Sequence, residues 1–446
     1  IHRLAQPRSM RRRAQLASRM RTRVQPERIG RAVWRMACDY PELSGRKLPT
    51  TILESAKGKD PAVVAAEIDI VMLVLNDLSF DGRVRREAAA LAAAGWRVLV
   101  IGTQRAGGTL PDEEDVDGFA IRRVRYRRFG QGRRPWRWLR HASQAIQIIR
   151  ALARTRARVY HAHDLPALLL VAAARGMSRR SSRLVYDSHE LYVFLPRNES
   201  GFGKALNRLM RPVWLALESQ IARRADAVIT VSEPIARCLA RWYGLPRPLV
   251  IRNCIDPVPP AAQTRPYLVH TGDLTNRGRC LNELVDAFTQ LPDGIDLVFL
   301  GEGEAHGTLE ARARDLGLSG RVRFIPPVAP DAVAATISDA QAALVLLRPD
   351  SWHSRATLPN KLFEAVAAGL PVVASDSPAL RRVVEGYRMG ITCDGTDPAA
   401  IARAIRRLLQ PEQWAEYRRA AIQAQEHLNW RAESERLCAL YRSLLS

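Results

Sequence analysis

The sequence lacks several features that mark particular classes of protein. Its six cysteines show no C-x-x-C spacing and have no histidine partners nearby, which argues against a zinc site or a disulfide framework and favours a reducing compartment. No apolar run approaches the roughly 20 residues that a membrane-spanning helix needs, and the N-terminus lacks the apolar core of a signal peptide. We therefore expect a cytoplasmic chain that does not cross a bilayer.

Acidic residues are scarce relative to basic ones. The 446 residues include 68 Lys and Arg against 45 Asp and Glu, which gives a formal net charge of +23. Arginines concentrate in residues 11–23 and again in residues 122–140, where four aromatic side chains interleave with them. Such surfaces favour polyanions, and the second cluster is as typical of an interfacial anchor on an anionic membrane as of a base-stacking platform.

The charge has two further interpretations. An arginine-rich composition can place arginine on every surface without any specific partner. No RRM, zinc-finger or helix-turn-helix signature accompanies the basic clusters, so we do not expect nucleic acid to be the partner. A peripheral position on the inner face of the plasma membrane is the hypothesis that we carry forward.

Strand and helix patterns alternate along most of the chain. Residues 1–64 are basic and show no sustained periodicity, which predicts a flexible or peripheral extension. Short β-branched runs then alternate with amphipathic helix patterns, as in parallel-sheet domains, over 65–256 and again over 267–428. Four prolines make residues 257–266 typical of a stiff linker. A last helix, 429–446, is expected to pack back on the first domain.

The most informative stretch reads LPNKLFEAVAAGLPVVASD. Pro359 suits the first helical position and Gly369 the stop after the last, so the pattern predicts a short helix followed by a buried strand. Asn360, Lys361 and Glu364 fall on the other face, beside a helix N-terminus that attracts anions. We expect Lys361 to bring a full positive charge to a phosphate and Glu364 to accept hydrogen bonds from ribose hydroxyls. A solvated Lys–Glu pair is the alternative.

Two predicted strand ends in the same half of the chain add glycines. Gly272 follows one strand, with Arg277 a few residues on, and the sequence Gly301-Glu302-Gly303 follows the next. Each glycine alone is typical of a turn, but glycine also lets backbone N–H groups approach a ligand closely. Together with the helix described above, on a third loop of the same sheet edge, they predict a bound nucleoside diphosphate.

Taken in order, these motifs resemble those of retaining glycosyltransferases of the GT-B architecture, family 4. The similarity covers roughly residues 68–446 and implies an α/β fold of two Rossmann-like parallel-sheet domains that face a cleft. It also implies transfer of a sugar, with retention of anomeric configuration, from a UDP- or GDP-sugar to a glycan or lipid-linked acceptor, as in cell-surface polysaccharide biosynthesis. Further similar segments are residues 76–87, HAHD at 161–164, YDSHE at 186–190, ADAVITVS at 225–232, IRNCID at 251–256 and RVRFI at 321–325.

The resemblance implies a role for individual residues of the second domain. Glu364 would bind the donor ribose, Arg277 and Lys361 would lie near the diphosphate, and backbone amides around Leu358 would complete the phosphate site. No divalent metal or other cofactor is then required, because fixed cations and helix amides stabilise the departing diphosphate. The implied donor-binding residues are Gly272, Arg277, Glu302, Leu358, Asn360, Lys361 and Glu364.

In the first domain the resemblance implies a catalytic position and an acceptor side. His163, in the H-x-H-D motif, would lie by the transferred sugar, although a capping or core histidine also fits its place at a strand end. Asn76, Asp81 and Arg83 would face the acceptor.

Two positions depart from the family's pattern. Ala356 stands where the commoner pattern has a second glutamate, and related members with the P-N-K form also lack that glutamate. Asp273 stands where an arginine often forms half of the diphosphate clamp. The second change replaces a cation by an anion, which bears on donor affinity or on transfer itself. These changes keep a non-catalytic nucleotide-sugar-binding scaffold open as an alternative. A nucleotide-sugar epimerase stays open as well, because it shares the two-domain architecture.

Overall fold

The structure is a computed structural model that describes residues 68–79, 81–126, 135–177, 181–194, 201–261, 265–275 and 278–446, with backbone alone at 135–141 and 201–207. The predicted N-terminal extension over 1–64, most of the arginine and aromatic cluster, and Arg277 lie outside the described residues or side chains. Within the described chain, no helix is both long and apolar enough to span a bilayer.

The first sheet has eight strands and is parallel apart from one hairpin. Its strands are β1 (Ile68–Leu73), β2 (Val98–Arg105), β3 (Glu113–Val116), β4 (Phe119–Tyr126), β5 (Ala157–His163), β6 (Arg183–Ser188), β7 (Ala227–Thr230) and β8 (Leu249–Val250). They lie in the order β3-β4-β2-β1-β5-β6-β7-β8. Strand order reverses between β1 and β5, which makes that pair the topological switch point of this sheet.

The hairpin of β3 and β4 is an element that the sequence analysis missed. The two strands pair antiparallel, and the turn between them is Asp117-Gly118, where both residues have positive φ, 52° and 83°. Asp-Gly is a strong signal for a tight hairpin turn, because both central positions of such turns favour positive φ.

Helices connect the strands of the first sheet. They are α1 (Gly82–Ala93), α2 (Pro135–Arg154), α3 (Asp164–Met177), α4 (Gly201–Ala222) and α5 (Glu233–Tyr243), with a short 3₁₀ helix at Tyr192–Phe194. Local signals set several of their ends. Asp81 Oδ1 accepts from the backbone N–H of Val84 at 3.1 Å at the start of α1, and Gly244, at φ 62°, ends α5.

The second sheet has six parallel strands. These are β9 (Tyr267–Thr271), β10 (Asp296–Leu300), β11 (Val322–Ile325), β12 (Ala342–Val345), β13 (Val372–Ser375) and β14 (Gly390–Cys393). They lie in the order β11-β10-β9-β12-β13-β14, the doubly wound order in which ligands bind beyond the carboxyl ends of the strands at the β9–β12 switch point. The predicted Rossmann-like parallel sheets are thereby confirmed for both halves of the chain.

The helices that follow β8 in the chain include those that cover both faces of the second sheet. They are α6 (Leu281–Phe288), α7 (His306–Asp315), α8 (Val333–Ile337), α9 (Trp352–Ala356), α10 (Asn360–Ala367), α11 (Pro378–Val384), α12 (Pro398–Leu408), α13 (Pro411–Ala424) and α14 (Trp430–Leu445). Successive residues of β9 enter opposite cores: Leu268 belongs to one buried cluster, and Val269 belongs to the other. Such a strand, buried on both faces, reads as a continuous apolar run in the sequence.

The chain divides into two compact units. The first runs to Ser79 and adds Ala88–Asp187 and Arg197–Ala227, while the second comprises Phe80–Glu87, Ser188–Pro196 and Val228–Ser446. All the predicted donor residues that the structure describes therefore belong to the second unit, as does Arg83.

Candidate functional site

Both ends of helix α10 are set by local sequence signals, a proline before its first residue and a glycine after its last turn. Pro359 is its cap rather than its first residue, at φ −72° and ψ 151°, so the helix begins at Asn360, one residue later than predicted. At the other end, Gly369 N–H bonds the carbonyl of Val366 and Leu370 N–H bonds that of Ala365, both at 2.9 Å. This pair of bonds, with Gly369 at φ 66°, is a Schellman motif, and it confirms the predicted glycine stop.

Lys361 lies in a buried position and not on a solvated helix face. It is only 7% exposed, and its Nζ lies 2.7 Å from Nε2 of His270 on β9. Burial lowers the pKa of Lys361 well below its ordinary value, and the charge of Arg279 lowers it further, against Glu364 and Asp273. The solvated Lys–Glu pair is therefore not what forms. Burial thus makes the predicted full positive charge on Lys361 less favourable before an anion binds.

Glu364 lies one turn further along α10 and contacts the same strand end. Its Oε2 accepts a hydrogen bond from Thr271 Oγ1 at 2.5 Å. Burial raises the pKa of Glu364, while the bond from Thr271 and the charges of Lys361 and Arg86 lower it. Helix α10 thus places the amine of Lys361 and the carboxylate of Glu364 against the end of β9, at the switch point of the second sheet.

Arg279 is a site residue that the sequence analysis missed. Its Nη1 donates to the carbonyl oxygen of Asp273. Burial is the main cause of the lowered pKa values of Lys361 and His270, and the charge of Arg279 lowers both further. The sequence interpretation chose Arg277, which lies outside the described residues. The predicted role of Arg277 therefore stays a prediction, and the fold adds Arg279 from the same loop.

Backbone approaches backbone closely at the ends of β9 and β10. Gly301 has φ 153°, and a Cβ placed there would lie 2.0 Å from the carbonyl oxygen of Gly272. A Cβ on Gly303 would lie 2.3 Å from the carbonyl oxygen of Leu274. The two glycines of the second loop therefore make room for the first loop. The predicted residue between them, Glu302, is exposed, and its backbone carbonyl accepts from the N–H of Leu274 at 2.9 Å.

The start of α10 is tied to another segment of the second unit through side chains. Asn360 is exposed, and its Oδ1 accepts from Nδ2 of Asn253 at 3.0 Å. Asn253 Oδ1 in turn accepts from Arg83 Nη1 at 2.9 Å. Leu358, the residue predicted to supply amides around the phosphate, is buried. The structure therefore places Asn360, Lys361 and Glu364 on one short helix, each with a different partner.

Arg83 is buried, and it also donates to the carbonyl oxygen of Ile251 at 2.8 Å and pairs with Glu87 at 3.0 Å. Asp81 serves as the cap of α1. Asn76 Oδ1 accepts from the N–H of Leu78 at 2.9 Å, and its carbonyl accepts from Thr103. Structural partners therefore engage all three residues predicted for the acceptor side.

His163 ends β5 at the switch point of the first sheet. It is buried, its Nδ1 lies 3.5 Å from Oδ2 of Asp187 on β6, and its ring stacks on His161 at 4.2 Å between centroids. The next residue, Asp164, has φ 63°, a conformation that L side chains rarely adopt, so the chain turns sharply into α3. His161, His163 and Asp187 each offer an atom within 4.8 Å of the others, a set that could also hold a divalent ion.

Comparison with known families divides the chain in the same way as its sheets. Residues 83–258 match the model of Glycosyltransferase Family 4, and residues 265–411 match that of Glycosyl transferases group 1. The D-inositol 3-phosphate glycosyltransferase of Acidothermus cellulolyticus is 35% identical over 138 residues, which is 31% of this chain and 30% of that relative. The chain matches half or less of the length of such curated relatives.

Solved structures share the whole two-sheet architecture. Sucrose-phosphate synthase from Thermosynechococcus elongatus superposes with a TM-score of 0.68 at 21% identity, covering 85% of this chain and 99% of that one. The Anabaena protein HepE, solved in complex with UDP and glucose, superposes with a TM-score of 0.63 at 17% identity, covering 84% and 100%. At such identities the likeness establishes the fold, and the fold is that of the GT-B glycosyltransferases.

Proposed function

Because its two halves match Glycosyltransferase Family 4 and Glycosyl transferases group 1 in turn, we propose that this chain transfers a sugar from a nucleotide-sugar donor to an acceptor, with retention of anomeric configuration. The observation that carries the proposal is the convergence at the β9–β12 switch point. There Lys361 and Glu364 of α10 meet His270 and Thr271 of β9. Parallel sheets of this order bind their ligands at that point.

The second unit holds the donor. The N-terminus of α10 and the glycine loop amides after β9 and β10 supply N–H groups for phosphate oxygens. Lys361 gains a proton as an anion arrives, because a nearby negative charge raises the pKa that burial has lowered. Glu364 keeps one carboxylate oxygen on Thr271 and offers the other to the ribose hydroxyls.

Catalysis of this reaction requires that the protein stabilise negative charge on the leaving diphosphate. As the bond between sugar and diphosphate breaks, negative charge grows on the diphosphate and the sugar becomes oxocarbenium-like. Cations and amides already fixed around the phosphates stabilise this state without reorganisation. Transfer then requires no metal, and chelation is expected to leave the rate unchanged.

His163, at the end of β5, is the residue that we assign to catalysis. Asp187 Oδ2 lies 3.5 Å from Nδ1 of His163, so the carboxylate helps to fix the orientation of the ring. The sharp turn at Asp164 brings the ring to the very end of β5. In this role Asp187 is a positioning residue.

The donor is a UDP- or GDP-sugar, and the acceptor is a glycan or lipid-linked saccharide. Among structures of this fold, HepE has been solved with UDP-glucose, which supports a uridine nucleotide as the first to test. The curated relatives named D-inositol 3-phosphate glycosyltransferase act on a polar acceptor that carries a phosphate, and a basic chain suits such acceptors.

Attachment to the cytoplasmic membrane face extends this proposal. Side chains of α2 and α4 leave apolar surface exposed, with Ile146 at 46% and Leu209 at 72%. Together with the basic cluster before them in the chain, they suit an anionic lipid surface that carries the acceptor. Flotation with anionic vesicles tests this: replacing Arg133, Arg134 and Arg137 by glutamine should reduce binding, and undiminished binding would rule out the patch as the anchor.

Release of nucleoside diphosphate from a panel of UDP- and GDP-sugars tests the enzyme itself. We expect release that falls by about 10-fold or more in Glu364→Ala and in Lys361→Ala, since each removes a charged contact to the donor. Glu310→Ala, on the exposed face of α7, is the matched control and should behave as wild type. Release that survives both site variants unchanged would rule out this site, and a chain that only binds the donor would be a scaffold.

A further inference from the structure

Compared with the family's pattern, the donor site lacks one of the two cationic residues expected near the diphosphate. The position after Gly272, where the family often has an arginine, is Asp273, and its carboxylate would repel a phosphate. The loop around it nevertheless contains a guanidinium in a suitable place. Arg279 donates from Nη1 to the carbonyl oxygen of Asp273 itself, so its cationic group lies against the backbone of the residue that lacks one.

The position of Arg279 relative to β9 is defined by several observations. Its Nη1 lies 3.7 Å from where a Cβ on Gly272 would stand, which places the guanidinium over the glycine that ends the strand. Its charge acts on Lys361 and on His270, both of which have pKa values well below the ordinary. A bound polyanion would attract the guanidinium of Arg279 and would also raise the lowered pKa of Lys361.

The backbone on both sides of Arg279 is held in place. Arg279 forms an isolated antiparallel bridge with Leu347, and Gly278, at φ 66°, accepts at its carbonyl from the N–H of Arg348 at 3.0 Å. Leu347 N–H in turn donates to Ser375 Oγ at 2.8 Å. Backbone hydrogen bonds therefore join the loop after β9 to the loop after β12, and they fix the position of the Arg279 backbone.

Most N–H donors of the Arg279 guanidinium have no hydrogen-bond acceptor within the described residues. A guanidinium has five N–H donors. Across the described part of the chain, the bond to Asp273 is the one that Arg279 donates, and no carboxylate lies within ion-pair distance of it. Burial lowers its pKa, against the charge of Asp273, yet arginine stays charged. A half-buried, charged fork with free donors is suited to a phosphate.

We propose that Arg279 supplies the missing half of the diphosphate clamp: its guanidinium binds the phosphates of the nucleotide sugar in place of the arginine that Asp273 replaces. The inference rests on the proposed function, since it names a residue of the same donor site. Asp273 then has a role of its own, because its carbonyl orients the guanidinium and its negative charge favours the charged form of Arg279.

Calorimetric binding of UDP and GDP tests the inference. Using whichever nucleotide the wild type prefers, Arg279→Gln should weaken binding of the diphosphate by about 10- to 100-fold, the usual effect of losing a charge-assisted hydrogen bond. Affinity for the parent nucleoside, measured by saturation-transfer NMR, should change by less than about 2-fold. Arg314→Gln, an exposed arginine at the end of α7, is the control and should leave both affinities unchanged.

A charge relocation separates binding from a merely structural role. The double variant Asp273→Arg with Arg279→Gln returns an arginine to the family's position and should recover diphosphate affinity to within about 10-fold of wild type. Arg279→Lys, which keeps the charge but loses the fork, should fall between wild type and Arg279→Gln. Equal diphosphate affinity in wild type and Arg279→Gln, or failure of the double variant to recover, would overturn the inference. A wild-type chain that binds neither diphosphate would overturn the proposed function and this inference with it.

Discussion

The buried amine of Lys361 makes a prediction about stability and pH. In the unfolded chain a lysine titrates near its ordinary pKa of 10.5, whereas burial first, and the charge of Arg279 second, lower the pKa of Lys361 far below that value in the folded protein. Between the two pKa values the unfolded state binds one more proton than the folded state at this residue. Unfolding free energy therefore rises with pH across that window, and the contribution is lost as pH falls through the folded pKa.

Replacing Lys361 by methionine removes this dependence at nearly constant volume. One proton of difference corresponds to a slope of about 1.4 kcal/mol per pH unit. The difference in unfolding free energy, wild type minus Lys361→Met, should therefore increase with pH at up to about that slope. Loss of the partner at His270 Nε2 adds a cost of about 1–3 kcal/mol to the variant that does not depend on pH in this range.

Urea unfolding followed by circular dichroism, from about pH 8 to about pH 10, measures this difference. The range avoids the carboxylates and the histidines, and the buried thiols cancel because both proteins contain them. Arg431→Met, which removes an exposed cation that does not titrate here, is the control and should give a flat difference. A flat difference for Lys361→Met, or one that falls with rising pH, would refute the reasoning, since it would mean that the folded amine is charged and well paired.

Two further substitutions test the glycine loop and the first unit. Gly301→Ala should destabilise the protein by about 2 kcal/mol or more and abolish nucleotide binding, because its Cβ would lie 2.0 Å from a carbonyl oxygen at a φ of 153°. Its control, Gly307→Ala in α7, meets no atom within 4 Å and should instead stabilise by about 0.5–1 kcal/mol in urea unfolding. Asp187→Asn should lower kcat about 10-fold or more with little change in donor KM, since it disturbs the orientation of His163. An unchanged kcat would mean that this pair does not act in transfer.

The sequence predicts the elements of the second sheet well because each is locally encoded. The residues from Pro359 to Gly369 combine an apolar stripe, a proline at the start and a glycine at the stop, and the helix ends fall within one residue of prediction. The strand β11, Val322–Ile325, lies within the segment RVRFI that the sequence analysis singled out at 321–325. Patterns of this kind depend on neighbours a few residues apart, so they are visible without the fold.

The partners of the site residues are not visible in this way. Lys361 and His270 are 91 residues apart in the sequence, and no local pattern around either residue predicts their contact. The helix face that carries Lys361 lies against β9, so the residue is buried, which the local pattern does not indicate. Arg279 was missed for a related reason: its direction depends on the bridge to Leu347, 68 positions further along the chain. Only the strand order brings these segments together.

Hydrogen exchange with and without nucleoside diphosphate tests the central claim most directly. The claim is that the strand ends of the second sheet and the start of α10 hold the diphosphate and ribose of a nucleotide. Bound UDP or GDP should slow amide exchange in three separate segments, 271–274, 301–303 and 358–364, and leave the outer helix α12 unaffected. Exchange that is unchanged in those segments at saturating nucleotide, or slowed only elsewhere in the chain, would contradict the account.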